Sequence, residues 1–299
     1  MVDRPSASEA GRPADAALML EALAAYPAQE PLSPLGSAYS ERVLALGAGI
    51  RGDDVQYGQD PHQTLTLFRP EKPSGIVLVV FHGGGWTNGY KEWMSFMAPA
   101  FNAQGVTLVS ATYRLAPRHV FPTGFADCAD AMAWTYRNFS AEYGDCFSLF
   151  VGGHSAGGHY AALLAVTDSW RSERRLAADI LAGCLPISGT YWFGETSGLS
   201  IRPRFLGPDH ATDELASPLH QLASPFTPPF FLSYGSRDFP HLIKQSEVMI
   251  EALRERGIAC EVSIIPDSDH FDAAIAAGDA DRPWVAQASA WMSRRCAGR

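Results

Sequence analysis

The chain has 299 residues, a net charge of −9 and a pI near 5.4, with no lysine- or arginine-rich run, which sets aside nucleic acid and anionic membrane surfaces as partners. Hydrophobic residues at 46% and charged residues at 18% exclude a disordered or fibrous protein, and an α/β chain of this length commonly forms one domain with a large core. The five cysteines are scattered with no CxxC pair, so reduced thiols fit better than a disulfide framework; without a secretion-signal pattern or a run of about 18 apolar residues, a cytoplasmic protein is expected.

Residues 1–13, rich in Pro, Ser, Gly and charge, read as a loose tail. Residues 14–26 suit an amphipathic helix with Ala16, Leu20, Leu23 and Ala24 on one side. Pro27, Pro31 and Pro34 end it, and residues 37–46 suggest a second helix. An apolar face on these helices would serve a homodimer as readily as packing within one chain. From Val55 the texture changes: residues 55–58 and 64–70 alternate like antiparallel strands. Residues 75–81 are an unbroken apolar run, typical of a strand covered on both faces.

Strands then alternate with helices. Strand patterns cover 106–111, 147–151, 180–187, 230–234 and 259–265; helical patterns cover 125–138, the segment after Ser155, 241–256 and 284–295. Such alternation argues an α/β fold, a mostly parallel sheet of about eight strands flanked by helices. Residues 1–50 would then pack as a tail and helices on one domain spanning 51–299. Residues 188–219, rich in Gly, Pro, Trp and Phe, have the composition of a small lid or one pocket wall, and little sequence remains for a larger cap.

The chemistry centres on Gly153-x-Ser155-x-Gly157, between an apolar strand and a helix. A strand that turns sharply into a helix leaves little room beside the turn residue, so the residues two before and two after it must be small. The turn pushes the Ser155 hydroxyl out at the strand's carboxyl end, beside a helix N-terminus. A second signal is His82-Gly83-Gly84-Gly85-Trp86, directly after the run at 75–81. Consecutive glycines let backbone N–H groups turn toward a developing negative charge, as an oxyanion hole requires. The other half of that hole falls to the N–H of Ala156, after the serine. A phosphate-cradling loop fails, because neither GxxxxGK[ST] nor GxGxxG occurs here.

A serine nucleophile needs a base, and the base an orienting carboxylate. Asp238 follows the strand at 230–234, and His270 follows the strand at 259–265, in the order Ser, Asp, His that such sheets use. Asp267, Asp269 and Asp272 are nearer His270 in sequence, but close neighbours rarely reach Nδ1 with good geometry, so they read as loop charges or caps. His82 would brace the glycine loop through a backbone hydrogen bond. His154 and His159 lack a third ligand at recognisable spacing, so no metal is expected. His62, His119, His210, His220 and His241 read as surface or satisfied loop residues.

With these residues assembled, the chain resembles the α/β-hydrolase superfamily, in the group spanning kynurenine formamidases (arylformamidases) and hormone-sensitive-lipase-like carboxylesterases. The similarity runs from about Tyr57 to the C-terminus. Both groups share His82-Gly83-Gly84-Gly85-Trp86 and Tyr113-Arg114-Leu115-Ala116-Pro117. His154 before the serine, Tyr234-Gly235-Ser236-Arg237-Asp238 with Lys244-Gln245-Ser246, His270-Phe271-Asp272 and Ser217-Pro218 lean toward the formamidases. His119-Val120-Phe121-Pro122 is more like the esterases.

The resemblance implies a serine hydrolase acting by acyl transfer to Ser155, with His270 as base and Asp238 as its orienter. It implies an oxyanion hole from Gly84, Gly85 and Ala156, with Gly83 an alternative to Gly85, and no metal or organic cofactor. Trp86, Tyr113, Trp192, Phe193 and Phe271 fall in loops near this site and as a group suggest an aromatic pocket for a small-molecule ester or amide. An aryl formamide is the favoured substrate class. The alternative is a short-chain or aryl carboxylesterase, and the remote one an inactive hydrolase fold used as a binding module.

Overall fold

The structure is a computed structural model that describes residues 13–144 and 146–296; apart from Pro13, the expected N-terminal tail lies outside them. Two helices come first, α1 (Pro13–Ala24) and α2 (Pro34–Gly47). Ser33 caps α2, its Oγ accepting the Gly36 N–H at 3.1 Å, and Pro34 sits in the first turn where its missing N–H costs nothing. Strands β1 (Asp53–Gln56) and β2 (Thr64–Phe68) form an antiparallel pair with Asp53 opposite Leu67. The first strand was expected at 55–58. It stops at Gln56 because the Tyr57 and Gly58 N–H groups both turn onto the Gln63 carbonyl.

Strand β3 (Ile76–Phe81) is followed by a 3₁₀ segment (Lys91–Met97), α3 (Ala98–Asn102), β4 (Thr107–Ala111) and α4 (Thr123–Tyr143). Then come β5 (Ser148–His154), α5 (Ala156–Val166), α6 (Ser169–Glu173), β6 (Leu181–Ile187), α7 (Arg202–Leu206) and α8 (Ala211–Leu215). The chain ends with β7 (Phe230–Gly235), α9 (Pro240–Glu255), β8 (Cys260–Ile265), α10 (His270–Ala276) and α11 (Pro283–Cys296). The sheet order is β1-β2-β4-β3-β5-β6-β7-β8, antiparallel across β1-β2-β4 and parallel from β4 onward. This is the expected eight-stranded, mostly parallel sheet wrapped by helices.

Alternate side chains of the central strands feed two cores. Val77, Val79, Phe81, Leu149 and Val151 pack with α4, α5 and α9 on one face. Ile76, Leu78, Val80 and Phe150 pack with α2, the 3₁₀ segment, α3 and α11 on the other. Both faces being dry explains why β3 reads as an unbroken apolar run. The antiparallel edge is fastened to the 3₁₀ segment by charge, buried Lys91 Nζ donating to Asp54, Glu92 and Thr66 at 2.8–2.9 Å, and the N-terminal segment joins through the Tyr26 hydroxyl, which donates to Glu92. No helix among the described residues is long and apolar enough to cross a membrane.

The strand order has one consequence for function. From β3 the chain runs to β4 on one side and returns to β5 on the other, so the carboxyl ends of β3 and β5 flank a crevice at the point where the winding reverses. The glycine loop leaves β3 and the Gly153-x-Ser155-x-Gly157 turn leaves β5 at that edge.

Candidate active site

At the end of β5 the backbone of Ser155 adopts φ 54° and ψ −114°, a conformation that side-chain-bearing residues rarely accept. The small flanking residues are a matter of contact. A Cβ on Gly157 would lie 2.0 Å from the Phe81 carbonyl oxygen, and one on Gly153 would lie 2.6 Å from that same atom. The bend is held from outside by the Ser155 N–H donating to Ile187 O at 2.9 Å. Ala156 is the first residue of α5, so its N–H has no acceptor within the helix.

The glycine loop meets this turn at Gly83, which is buried and where a Cβ would lie 3.3 Å from Ser155 Cβ, while Gly84 (φ 106°) and Gly85 (φ 59°) are half-buried. The N–H groups of Gly83, Gly84 and Gly85 donate to no acceptor among the described residues. A Cβ on Gly85 would meet only Ile201, at 4.0 Å, so the loop borders open space walled by the segment after β6. The loop is braced from behind. His82 Nδ1–H donates to Gly83 O at 2.7 Å, and the Thr112 hydroxyl donates to His82 Nε2 at 3.0 Å. Tyr113 stacks on the His82 ring and donates to its carbonyl.

Asp238 lies in the turn after β7, and His270 opens α10 after β8. His270 Nδ1–H donates to Asp238 Oδ1 at 2.9 Å, both residues buried. The Phe239 N–H donates to the same oxygen at 2.7 Å. Oδ2 is buried without a hydrogen-bond partner among the described residues, as is the Ser188 Oγ lying against this carboxylate. Burial pushes the Asp238 carboxyl up, but the hydrogen bond and charge of His270, the Ser188 hydroxyl and the Phe239 N–H together hold it below the usual carboxylate range. Among the described residues Ser155 Oγ and His270 Nε2 make no hydrogen bond, and neither is among the buried unpartnered atoms, so both reach solvent.

The competing aspartates are occupied elsewhere. Asp269 caps α10 by accepting the N–H groups of Phe271 and Asp272 at 2.9 and 2.8 Å. Asp272 pairs with Arg42 of α2, and Asp267 occupies a positive-φ turn position. Of the other histidines, His62 differs from expectation: it is buried, with Nε2 unpartnered among the described residues.

The histidines flanking Ser155 are neutral by environment. His154 Nε2–H donates to the His270 carbonyl at 2.9 Å, and burial, then the neighbouring His270 charge, pushes its pKa down to about 3. His159 accepts from Trp86 Nε1–H at 3.0 Å and donates to Ala216 O at 2.7 Å, and burial pushes it down to about 4. Burial likewise takes His82 to about 3.

The five aromatic residues expected at a pocket fall into two groups. Trp86, Tyr113 and Phe193 are buried; Trp86 stacks on Phe205 at 4.3 Å and packs with Phe193 and His159 as a closed wall. Trp192 and Phe271 are half-buried and offer surface. Phe239, absent from the expected set, is exposed, and its ring centroid lies 4.9 Å from that of His270. The segment after β6 is short and anchored: Gln245 Oε1 accepts the Tyr191 and Trp192 N–H groups, and Ser217 Oγ accepts that of Phe193. Sequence reading also missed Ser188 and the contacts of His154 and Gln245, which no local pattern signals. The start of α10 was signalled by Asp269, a good N-cap residue.

The alpha/beta hydrolase fold family matches residues 78–272, which include the glycine loop, Ser155, Asp238 and His270. The chain belongs to that family. Esterase LipC of Mycobacterium tuberculosis is 30% identical over 253 residues, covering 77% of this chain and 60% of LipC. The kynurenine formamidase of Salmo salar is 29% identical over 232 residues, covering 73% of this chain and 74% of that protein. The isoprenylcysteine alpha-carbonyl methylesterase ICME of Arabidopsis thaliana is 24% identical over 242 residues, 73% of this chain and 56% of ICME. The match thus spans less than two thirds of LipC and of ICME. Among solved structures, the Pyrobaculum calidifontis esterase has a TM-score of 0.72 at 22% identity, covering 93% of this chain and 96% of that one. That likeness is one of fold.

Proposed function

We propose that this protein is a serine hydrolase that cleaves a small ester or amide by acyl transfer to Ser155. The observation that carries the reading is the Asp238–His270 hydrogen bond at 2.9 Å, set on the sheet edge that also presents the strained Ser155 turn. His270 Nε2 takes the Ser155 proton as Oγ attacks the acyl carbon, and Asp238 fixes the imidazole with its proton on Nδ1. The N–H groups of Gly84, Gly85 and Ala156 hold the oxyanion. His270 then returns the proton to the leaving amine or alcohol, and water, deprotonated by the same imidazole, releases the acid.

Within that class an aryl formamide is the favoured substrate. A formyl group needs almost no room beyond the oxyanion site, and the half-buried Trp192 and Phe271 with the exposed Phe239 suit an aryl leaving group. The likeness to proteins named kynurenine formamidase supports this. The second reading, a short-chain or aryl carboxylesterase, is favoured by the likeness to proteins named esterase. The test is kcat/KM for N-formylkynurenine beside p-nitrophenyl acetate and butyrate, with Ser155→Ala as blank. Preference for the formamide establishes the first reading and preference for the esters the second. A Ser155→Ala protein as active as the wild type would sink both.

A further inference from the structure

Ser188 directly follows β6 and is fully buried, with φ at 50°, where glycine is at ease and serine is not. Its N–H donates to Ser233 O of β7 at 2.8 Å, which holds it beside the strand that leads into Asp238. The Asp238 N–H in turn donates to Gly235 O at 3.1 Å, closing the turn that carries the carboxylate.

Asp238 Oδ1 has two donors, His270 Nδ1–H and the Phe239 N–H, whereas Oδ2 is buried with none among the described residues. A carboxylate oxygen shut away from water is expensive to leave without a donor. The Ser188 hydroxyl bears on the same carboxylate, is itself buried without a partner among the described residues, and carries a proton that rotates freely about the Cβ–Oγ bond. Two buried orphans of complementary type thus lie at the adjoining ends of β6 and β7.

We propose that Ser188 is a positioning residue for the reaction: its hydroxyl donates to Asp238 Oδ2 and locks the carboxylate plane, so that Oδ1 faces His270 Nδ1. This rests on the reading of Ser155, His270 and Asp238 as the reacting set. Ser188 touches neither substrate nor nucleophile; it acts through Asp238. It also adds to the His270 hydrogen bond and charge, the larger causes, in keeping this buried carboxylate ionised although burial alone would favour the acid.

The backbone supplies a clean test. Ser188→Gly keeps a conformation that glycine adopts without strain and removes only the hydroxymethyl group, so a purely structural role predicts undiminished turnover. Ser188→Ala, which retains Cβ, is the second variant. Each is made in the wild type and in Asp238→Ala, and kcat and KM are measured with p-nitrophenyl acetate, subtracting the Ser155→Ala background. A hydrogen bond to a charged group sets the expected size: kcat falls about tenfold in the wild type with KM within about twofold. In Asp238→Ala neither substitution should change kcat further, because the group it acts through is gone.

Wild-type-like kcat in both Ser188 variants would overturn the proposal while leaving the catalytic reading intact. An equal loss in both backgrounds would also overturn it, since Ser188 would then act independently of Asp238. Full activity in Asp238→Ala alone would instead remove the catalytic reading, and this inference with it.

Discussion

His154 Nε2 lies 2.9 Å from the backbone oxygen of His270, so the residue before the turn serine holds the main chain of the proposed base. The His154 and His270 rings are 4.6 Å apart, and Tyr39 of α2 packs against both His154 and Phe271. One tether therefore joins the end of β5 to the start of α10. His154→Ala should lower kcat/KM on the order of ten- to hundredfold, because small misplacements of a reacting group cost that much. The loss should fall in kcat. His154→Gln, whose amide reaches toward the same carbonyl, should recover part of it. Equal losses in the two variants would show that ring volume matters and the hydrogen bond does not.

Three buried neutral histidines make acid stability predictable. His82, His154 and His159 have folded values near 3, 3 and 4, below the ordinary 6.5. Each takes up a proton more readily when unfolded. Its contribution is therefore complete above about pH 6.5 and drains as pH falls toward the folded value, with a slope of up to about 1.4 kcal/mol per pH unit for each group. Denaturant midpoints measured from pH 7.5 to 4.5 should fall steadily on the acid side. His159→Gln should flatten that slope by close to one proton, and a slope unchanged by it would show that His159 does not stay neutral in the fold.

What was legible in the sequence follows from which physics is local. β3 could be read because both its faces are dry, Val79 toward one core and Val80 toward the other. The turn around Ser155 could be read because only glycine fits against Phe81 O, and Asp238 and His270 because strand ends place loops on one edge. Side-chain direction was not legible. Trp86 and Tyr113 sit in loops at the right edge, yet Trp86 is sealed against Phe205 and Tyr113 against His82. The 3₁₀ segment Lys91–Met97 escaped notice because it is buried all round and shows no periodicity, its one lysine neutralised by Asp54 and Glu92. The expected helix at 125–138 runs from Thr123 to Tyr143, and β5, expected to end at residue 151, extends through His154 into the serine turn.

Gly157 tests the packing claim at the turn. A Cβ there would lie 2.0 Å from Phe81 O and 2.6 Å from His82 O, both backbone atoms of the strand end that leads into the glycine loop. Neither can move without displacing that loop. Gly157→Ala should therefore cost about 3 kcal/mol or more, at or beyond the top of the usual range for overpacking, and remove activity together with stability. A cooperative melt within about 2 °C of wild type would show that the turn opens more easily than the contacts require.

Gln29 Nε2–H donates to Gly89 O at 3.0 Å, and the Gly89 N–H donates to Gln29 Oε1 at 2.8 Å, so one side chain clasps a backbone unit from both sides. Next to it, Asn88 donates to the Glu30 carbonyl. Asn88 and Gly89 close the turn that begins at Gly84, whose carbonyl accepts the N–H groups of Thr87 and Asn88. The link between α1 and α2 is thus fastened to the far side of the glycine loop, and loosening it should spread the Gly84 and Gly85 N–H groups away from a common point. Gln29→Ala should lower kcat/KM a few-fold to tenfold and stability by about 1–2 kcal/mol, the worth of two part-buried hydrogen bonds. Faster hydrogen exchange at the Gly89 amide should accompany the loss. If exchange quickens while kcat/KM stays at the wild-type value, the clasp holds the link to the domain but does not set the oxyanion geometry.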